Sequence, residues 1–232
     1  MEQPSQDASS SSSLVPSALP EPSAGIALQE GVVHLKRFLS PRQQCDLYQD
    51  ILCSTPHYSA TRARNPKSNF LKIIAFDCRR QADLIPSTFS SFAQSACYAA
   101  SQLSPSTIPP SYSPNYITAF RYEEGKGRLT GHCDKVEGWV VLFSLGCTAM
   151  FHIKGKEMHM KEVLEFESGD VLVFNGGTEW NVWHGIDAIV PGTCPSFLPD
   201  DLHNFRISLQ LRQTGKNDNR PIKRRRKQVS NS

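Results

Sequence analysis

Three side chains carry the first chemistry this sequence offers. His132-Cys133-Asp134 sets an imidazole and a carboxylate two residues apart. In a strand alternate residues share a face, so both can converge on one metal ion. A His-x-Asp pair is common by itself, and a further ligand must come from elsewhere in the chain. His184, in Val182-Trp183-His184-Gly185-Ile186, follows the apolar run Val171–Phe174 after a turn-rich loop and is the candidate. Among the other histidines, His152 lies in an apolar strand and reads as a packed core side chain. His34, His57, His159 and His203 lie in polar or loop contexts and read as surface. Two imidazoles and one carboxylate on one face of a metal leave coordination positions open, as in non-haem Fe(II) oxygenases. Zinc takes the same ligands, so residue types alone do not choose the metal.

A second pattern lies in Phe205-Arg206-Ile207-Ser208-Leu209-Gln210-Leu211-Arg212. Alternation is strict, with Phe, Ile, Leu and Leu facing one way and Arg, Ser, Gln and Arg the other. In a half-buried strand such a polar face meets water. If it lines a barrel interior, Arg206 is a buried cation that calls for a bidentate anion such as a dicarboxylate. Six residues of strand span about 20 Å, so Arg212 cannot grip the same atoms as Arg206 unless the strand bends.

Two helices and a series of strands must position these groups. Ser40-Pro41-Arg42-Gln43 offers an N-cap, a proline at the first helical position and a capping-box glutamine. Cys45, Tyr48, Ile51 and Leu52 then recur at helical spacing. Phe89, Phe92, Ala93, Ala96, Cys97 and Ala100 form a second stripe, capped by Ser87 or Thr88. The second half is different. The runs 117–120, 140–145, 149–153, 163–166, 171–174 and 205–211 are short and rich in β-branched or aromatic residues, and Gly or Asn separates them. Helices first and strands later describe a β-rich α+β domain with a sandwich or barrel at its core.

Composition bounds the rest. The chain has 232 residues, room for one sizeable domain, and its 39% hydrophobic content is that of a globular protein. No run approaches the roughly 18 apolar residues of a membrane helix, so no membrane association is expected. Seven cysteines without a CxxC pair argue against a disulfide scaffold or zinc ribbon and for a reducing compartment. The first 25 residues lack a basic stretch and an apolar core, and neither a secretory signal nor a transit peptide is expected there. They hold three acids and no base, whereas residues 215–232 hold seven bases and one acid. All the excess positive charge therefore sits in the tail. We expect a disordered Ser/Pro-rich segment over 1–25, a folded domain over 26–213 and a disordered basic tail over 214–232.

Taken in order, these segments resemble the AlkB family of Fe(II)- and 2-oxoglutarate-dependent dioxygenases. Phe120-Arg121-Tyr122-Glu123-Glu124-Gly125 followed by Leu129-Thr130-Gly131-His132-Cys133-Asp134-Lys135 is similar to the family's Asn-x-Tyr-x-x-Gly … His-x-Asp stretch. Gly169–Gly177, with His184-Gly185-Ile186 after it, is similar to the segment that bears the distal histidine. Arg206 and Arg212 match an Arg-x-Asn-x-x-x-Arg signature in spacing. The resemblance implies a double-stranded β-helix, or jelly roll, buttressed by the N-terminal helices. It implies Fe(II) held by His132, Asp134 and His184, and 2-oxoglutarate held by Tyr122, Arg206, Ser208 and Arg212, with O2 as the oxidant. The implied reaction hydroxylates a methyl group on a nucleobase nitrogen and releases formaldehyde, succinate and CO2.

Two departures bear on the cosubstrate. Phe120 stands at the family's Asn, and a phenyl ring replaces none of an amide's hydrogen bonds. Ser208 stands at the signature's Asn, where a hydroxyl replaces part of them. Val136 sits where some members carry a base-contacting acid. Thr61–Lys67, with Tyr58 and Phe70 near it, is expected to form a lid over the base or an ordinary solvated loop. The cluster Lys223-Arg224-Arg225-Arg226-Lys227 reads as a nuclear localisation signal or a phosphate grip. The expected partner is methylated DNA or RNA, including single strands, and the expected location is the nucleus, extending to the cytoplasm, for a monomer. Oxygenation of protein side chains and a weakly active nucleic-acid-binding member are the competing readings.

Overall fold

A computed structural model describes residues 25–77, 86–134 and 137–214. Twelve strands form two antiparallel sheets: β1 (Gly25–Gln29), β2 (Val32–Leu35), β3 (Thr61–Arg62), β4 (Leu71–Asp77), β5 (Tyr116–Glu123), β6 (Leu129–Cys133), β7 (Gly138–Gly146), β8 (Ala149–Lys154), β9 (Glu162–Phe166), β10 (Val171–Asn175), β11 (Trp183–Ile189) and β12 (Phe205–Thr214). The large sheet runs β1-β2-β10-β7-β12-β5-β4-β3, and the small one β6-β11-β8-β9. This is the jelly roll. Of the expected disordered segments 1–25 and 214–232, residues 1–24 and 215–232 lie outside the described residues, as do Lys135 and Val136, whereas Gly25 and Thr214 are corrected: they are the first residue of β1 and the last of β12.

Strand alternation splits the core in two. Ile207, Leu209 and Leu211 of β12 pack with Val141, Phe143 and Val173 against the helices, while Tyr122, Val140, Leu142, Phe151, Phe166, Phe174 and Ile186 fill the space between the sheets. Residues of opposite parity on β12 therefore face that inner space, and the polar row Arg206, Ser208, Gln210 and Arg212 is buried there instead of meeting water. The inside reading of that strand is the one the fold adopts.

Helix α1 (Pro41–Ser54) begins as its sequence predicts. Gln43 N–H donates to Ser40 Oγ at 3.3 Å, and Ser40 N–H donates to Gln43 Oε1 at 2.9 Å, which closes the capping box. Its buried face is Gln44, Leu47, Tyr48 and Ile51, so the expected stripe is corrected: Leu52 turns outward. Helix α2 (Ser87–Leu103) buries Phe89, Ala93, Ala96, Cys97 and Ala100 as expected. Neither Ser87 nor Thr88 caps it. Pro86 occupies the N-cap, and the Thr88 hydroxyl instead donates to the Asp50 carboxylate of α1, tying the helices together.

The first half also holds four strands that its apolar spacing did not announce, and β2 lies inside the large sheet between β1 and β10. That placement corrects the surface reading of His34. The residue is 1% exposed, edge-on to Phe166, with Nε2 2.9 Å from Asp170 Oδ2. Asp170, itself fully buried, also accepts the Arg37 N–H at 2.8 Å and the Glu167 N–H at 3.1 Å. One carboxylate thus satisfies three groups that would otherwise be orphaned. We expect Asp170→Ala to lower the unfolding free energy by roughly 3–5 kcal/mol in denaturant titrations. A loss below about 1 kcal/mol would show that these groups find other partners.

Candidate metal and dicarboxylate site

The small sheet assembles the first cluster. Antiparallel pairing of β6 and β11 sets His132 directly opposite His184, and Asp134 follows the last residue of β6. One ligand atom from each of the three residues lies within 4.8 Å of the others. Both rings are fixed in the same way. His132 Nδ1 is 3.1 Å from Thr130 O and His184 Nδ1 is 3.1 Å from Val182 O. A carbonyl only accepts, so the proton sits on Nδ1 and each Nε2 is left as a lone-pair donor.

Glycine flanks each histidine for a steric reason. A Cβ on Gly131 would lie 1.8 Å from the Trp183 ring, and one on Gly185 would lie 2.5 Å from His152 Nε2. Trp183 and His152 stack at 4.5 Å and cover the back of the strands that present the ligands, and His152 Nδ1 is 2.7 Å from Asp187 Oδ1. His152 is thus the buried packing residue its context suggested. Of the others read as surface, His57 and His159 are exposed and His203 is half-buried.

Electrostatics prepare the cluster for a cation. His184 is 1% exposed between Phe151 and Phe174, and among the described residues its Nε2 has no hydrogen-bond partner. Burial pulls its pKa down to about 4, against the attraction of Asp134, so the imidazole is neutral near pH 7. Burial alone would push the Asp134 carboxyl up. The charge and hydrogen bond of the Arg212 guanidinium outweigh it and hold the group below its ordinary value. An unpartnered neutral imidazole beside an ionised carboxylate is the donor set of a divalent first-row metal.

The second cluster lies on the inner face of β12. Arg206 is 0% exposed, flanked in register by Tyr122 of β5 and Gly146 of β7. Its Nη1 donates to Phe166 O at 3.0 Å and to Ser144 Oγ at 2.5 Å. Among the described residues Nε and Nη2 have no hydrogen-bond partner. These two N–H groups point the same way and form the fork that grips a carboxylate bidentately. Burial pulls the guanidinium down to about 10, and the same burial pushes the Tyr122 phenol up, so Tyr122 keeps its proton as a donor. An unsatisfied buried fork beside a protonated phenol fits the far carboxylate of a diacid.

Ser208 lies in the next row, between Phe120 of β5 and Ser144 of β7. Arg212 is placed away from Arg206, as strand geometry requires. Its Nη2 lies 2.8 Å from Asp134 Oδ2 and 2.9 Å from Gln210 Oε1, so it bears on the His-Asp-His cluster. Gln210, on the polar face that the alternation marked, belongs to the same inner surface, as do Ser144 and Lys72, which were not singled out in the sequence. Of these two, Ser144 could have been found, as an isolated polar residue within the apolar run 139–145.

The mouth faces His132. A cavity of about 200 Å³ is lined by Ala63, Asn65, Ser68, Phe70, Leu129, Thr130, Gly131 and His132. The segment 61–67 starts as edge strand β3, paired with β4, and borders this cavity. Ser68 fastens it to β6: its Oγ is 3.2 Å from Thr130 Oγ1 and accepts the Thr130 N–H at 3.1 Å. Phe70 packs on Phe120 and Tyr122.

Comparison with known proteins matches this arrangement. The family model of the 2OG-Fe(II) oxygenase superfamily covers residues 31–212. Two curated relatives from Arabidopsis thaliana are similar: DNA N(6)-methyladenine demethylase ALKBH1D, 28% identical over 80% of this chain and 50% of its own length, and ALKBH1C, 32% identical over 57% and 33%. The chain thus spans half or less of these relatives. The solved structure of OsALKBH1 superposes with a TM-score of 0.65 at 25% identity, over 81% of this chain and all of that one. A Pseudomonas putida prolyl-4-hydroxylase shares the fold at 11% identity and a TM-score of 0.53. With the His-x-Asp…His geometry and the inward arginine already in place, the chain belongs to the 2OG-Fe(II) oxygenase superfamily, as an AlkB-like member.

Proposed function

We propose that this chain is an Fe(II)- and 2-oxoglutarate-dependent demethylase of N-methylated nucleobases in DNA or RNA. One observation carries the reading. The inner face of the jelly roll holds an unpartnered imidazole nitrogen at the His132-Asp134-His184 cluster and, on the neighbouring sheet, an unpartnered guanidinium fork at Arg206.

His132, Asp134 and His184 would hold the metal, and Arg206 with Tyr122 the far carboxylate of 2-oxoglutarate. Bound there, the pair supplies dioxygen activation, with succinate and CO2 as by-products. The protein's own residues do the rest. Arg212 fixes the Asp134 carboxylate from behind, so that it presents one orientation. Phe151, Phe174 and Phe166 keep water from the buried side. The His132 side, whose imidazole is 42% exposed, faces the cavity under the 63–70 loop, where a methylated base extruded from its strand can enter.

Nucleic acid as substrate is supported by the names of the curated relatives, by Arg62, Arg64 and Lys67, exposed around that mouth, and by the basic run 223–227, on which we also base a nuclear location. The test is turnover of a panel of methylated DNA and RNA oligonucleotides, including N6-methyladenine. Formaldehyde should appear one for one with the demethylated base, and both should vanish in His132→Ala. Intact metal binding without turnover on any oligonucleotide, or succinate formed only with protein substrates, would overturn the proposal.

A further inference from the structure

Lys72 occupies a place where a lysine is costly unless a ligand meets it. It stands on β4 at a bulge that shifts the register between Lys72 and Ile74. Bulges re-aim side chains beside functional sites. Ile73 and Ile74 pack toward the helices, whereas Lys72 is paired with Phe120 and sits over its ring, with Nζ 5.4 Å from the centroid. Phe120 in turn pairs with Ser208. Lys72, Phe120 and Ser208 therefore form one row across three strands, adjacent to the row of Tyr122 and Arg206.

The charge at this corner is uncompensated. Lys72 is half-buried, and among the described residues its ammonium has neither an ion pair nor a hydrogen bond. Its charged neighbours are Arg64 and Arg212, both of the same sign, and with burial they pull its pKa down. The Asp134 carboxylate is engaged by Arg212, whose Nη2 lies 2.8 Å from its Oδ2. A lysine that served only to cover Phe120 would turn its head away from two guanidinium groups toward open solvent.

One side-chain row along a strand is about 7 Å, the reach of a short dicarboxylate. A diacid with one end on Arg206 therefore sets its other end at the row of Lys72, in the direction of Arg212 and the His-Asp-His cluster. Phe120 in the middle of that row offers no polar atom, and Ser208 offers a single hydroxyl. We infer that Lys72 binds the metal-side carboxylate of 2-oxoglutarate, supplying by charge the contact that Phe120 cannot make. This assignment rests on the proposed function. A phosphate of the nucleic acid is the other anion that could meet Lys72. The inward register favours the cosubstrate, because the exposed Arg64 is better placed for a backbone phosphate.

The test uses the full chain loaded with Mn(II), and calorimetric titration with 2-oxoglutarate for wild type, Lys72→Met, Lys72→Arg, Lys72→Met with Phe120→Asn, and Arg206→Met. A charge-assisted hydrogen bond corresponds to roughly 10- to 100-fold in affinity. Lys72→Met should weaken binding by that factor. Lys72→Arg should stay within about threefold, and the amide added by Phe120→Asn should restore at least about tenfold to Lys72→Met. Loss of affinity in Arg206→Met with none in Lys72→Met would overturn this assignment and leave the site reading intact. No 2-oxoglutarate binding by the wild type would overturn both. If Lys72→Met weakens a methylated oligonucleotide and not 2-oxoglutarate, Lys72 is a phosphate contact and the assignment falls.

Discussion

Arg206→Met should abolish 2-oxoglutarate binding without weakening the fold. The guanidinium is fully buried, and its only described acceptors lie on one side, Ser144 Oγ and the carbonyls of Phe166 and Cys147. In the absence of an anion, two of its N–H groups are unsatisfied and a whole charge is held away from water. Such a group is a net cost, and replacing it by an apolar side chain of similar length is neutral or stabilising by roughly 1–4 kcal/mol. Its ligand reverses the balance. A bidentate carboxylate meets both free donors, and losing that pair costs roughly 2–5 kcal/mol, or about 30- to several-thousand-fold in affinity.

Thermal melts separate the two effects. Wild type should be stabilised by 2-oxoglutarate in the presence of Mn(II) as the logarithm of its concentration over Kd. Arg206→Met should melt at the wild-type temperature or above it without ligand, and should not respond to 2-oxoglutarate. A variant that melts well below wild type and still shifts with the diacid would mean that Arg206 is a packing residue and that the cosubstrate lies elsewhere.

Legibility of the site in the chain followed the distance over which each signal acts. His132 and Asp134 sit two apart in one strand, where alternation puts them on a common face whatever the rest of the fold does. The polar side of β12 was visible as strict alternation, but its sign was not. The same pattern describes a strand wetted by solvent and one lining a cavity, and only the second sheet over β12 decides. His34 misled for a related reason. Its neighbours Val32, Val33 and Leu35 form a strand of four residues, too short for periodicity to speak, and its partner Asp170 is 136 residues away. Gln44 and Thr88 show the limit for polar groups in helices. Their buried roles depend on Leu39 O, Ser168 and Asp50, none of which helical spacing can name. Lys72 was invisible because a bulge, which shifts the register by one residue, decides which way it faces.

His184 is expected to govern both the metal affinity and the acid limb of stability in the metal-free protein. Its folded pKa is about 4 against an ordinary value of 6.5, because burial disfavours the imidazolium more than Asp134 favours it. Between those values the unfolded chain takes up a proton that the folded chain does not. Stability must therefore fall as pH drops from 6.5 toward 4, with nothing contributed above 6.5 and the full effect present below 4. The size is on the order of 3 kcal/mol. Asp134, whose folded pKa is depressed below 3.8, loses its own contribution as pH falls below that ordinary value. His184→Gln removes the titration while keeping a polar group of similar size, and it should flatten the dependence of unfolding free energy on pH across this window. The same substitution removes one of the three atoms that converge on the cation, and Mn(II) affinity should drop at least about 100-fold, more than the loss that follows when only an outer contact of a ligand is cut. An unchanged slope between pH 6.5 and 4, together with Mn(II) affinity within threefold of wild type, would place the metal elsewhere and leave His184 as a buried ring with an idle nitrogen. The two outcomes are tied by one cause: the desolvation that keeps a proton off Nε2 also keeps that lone pair ready for a metal.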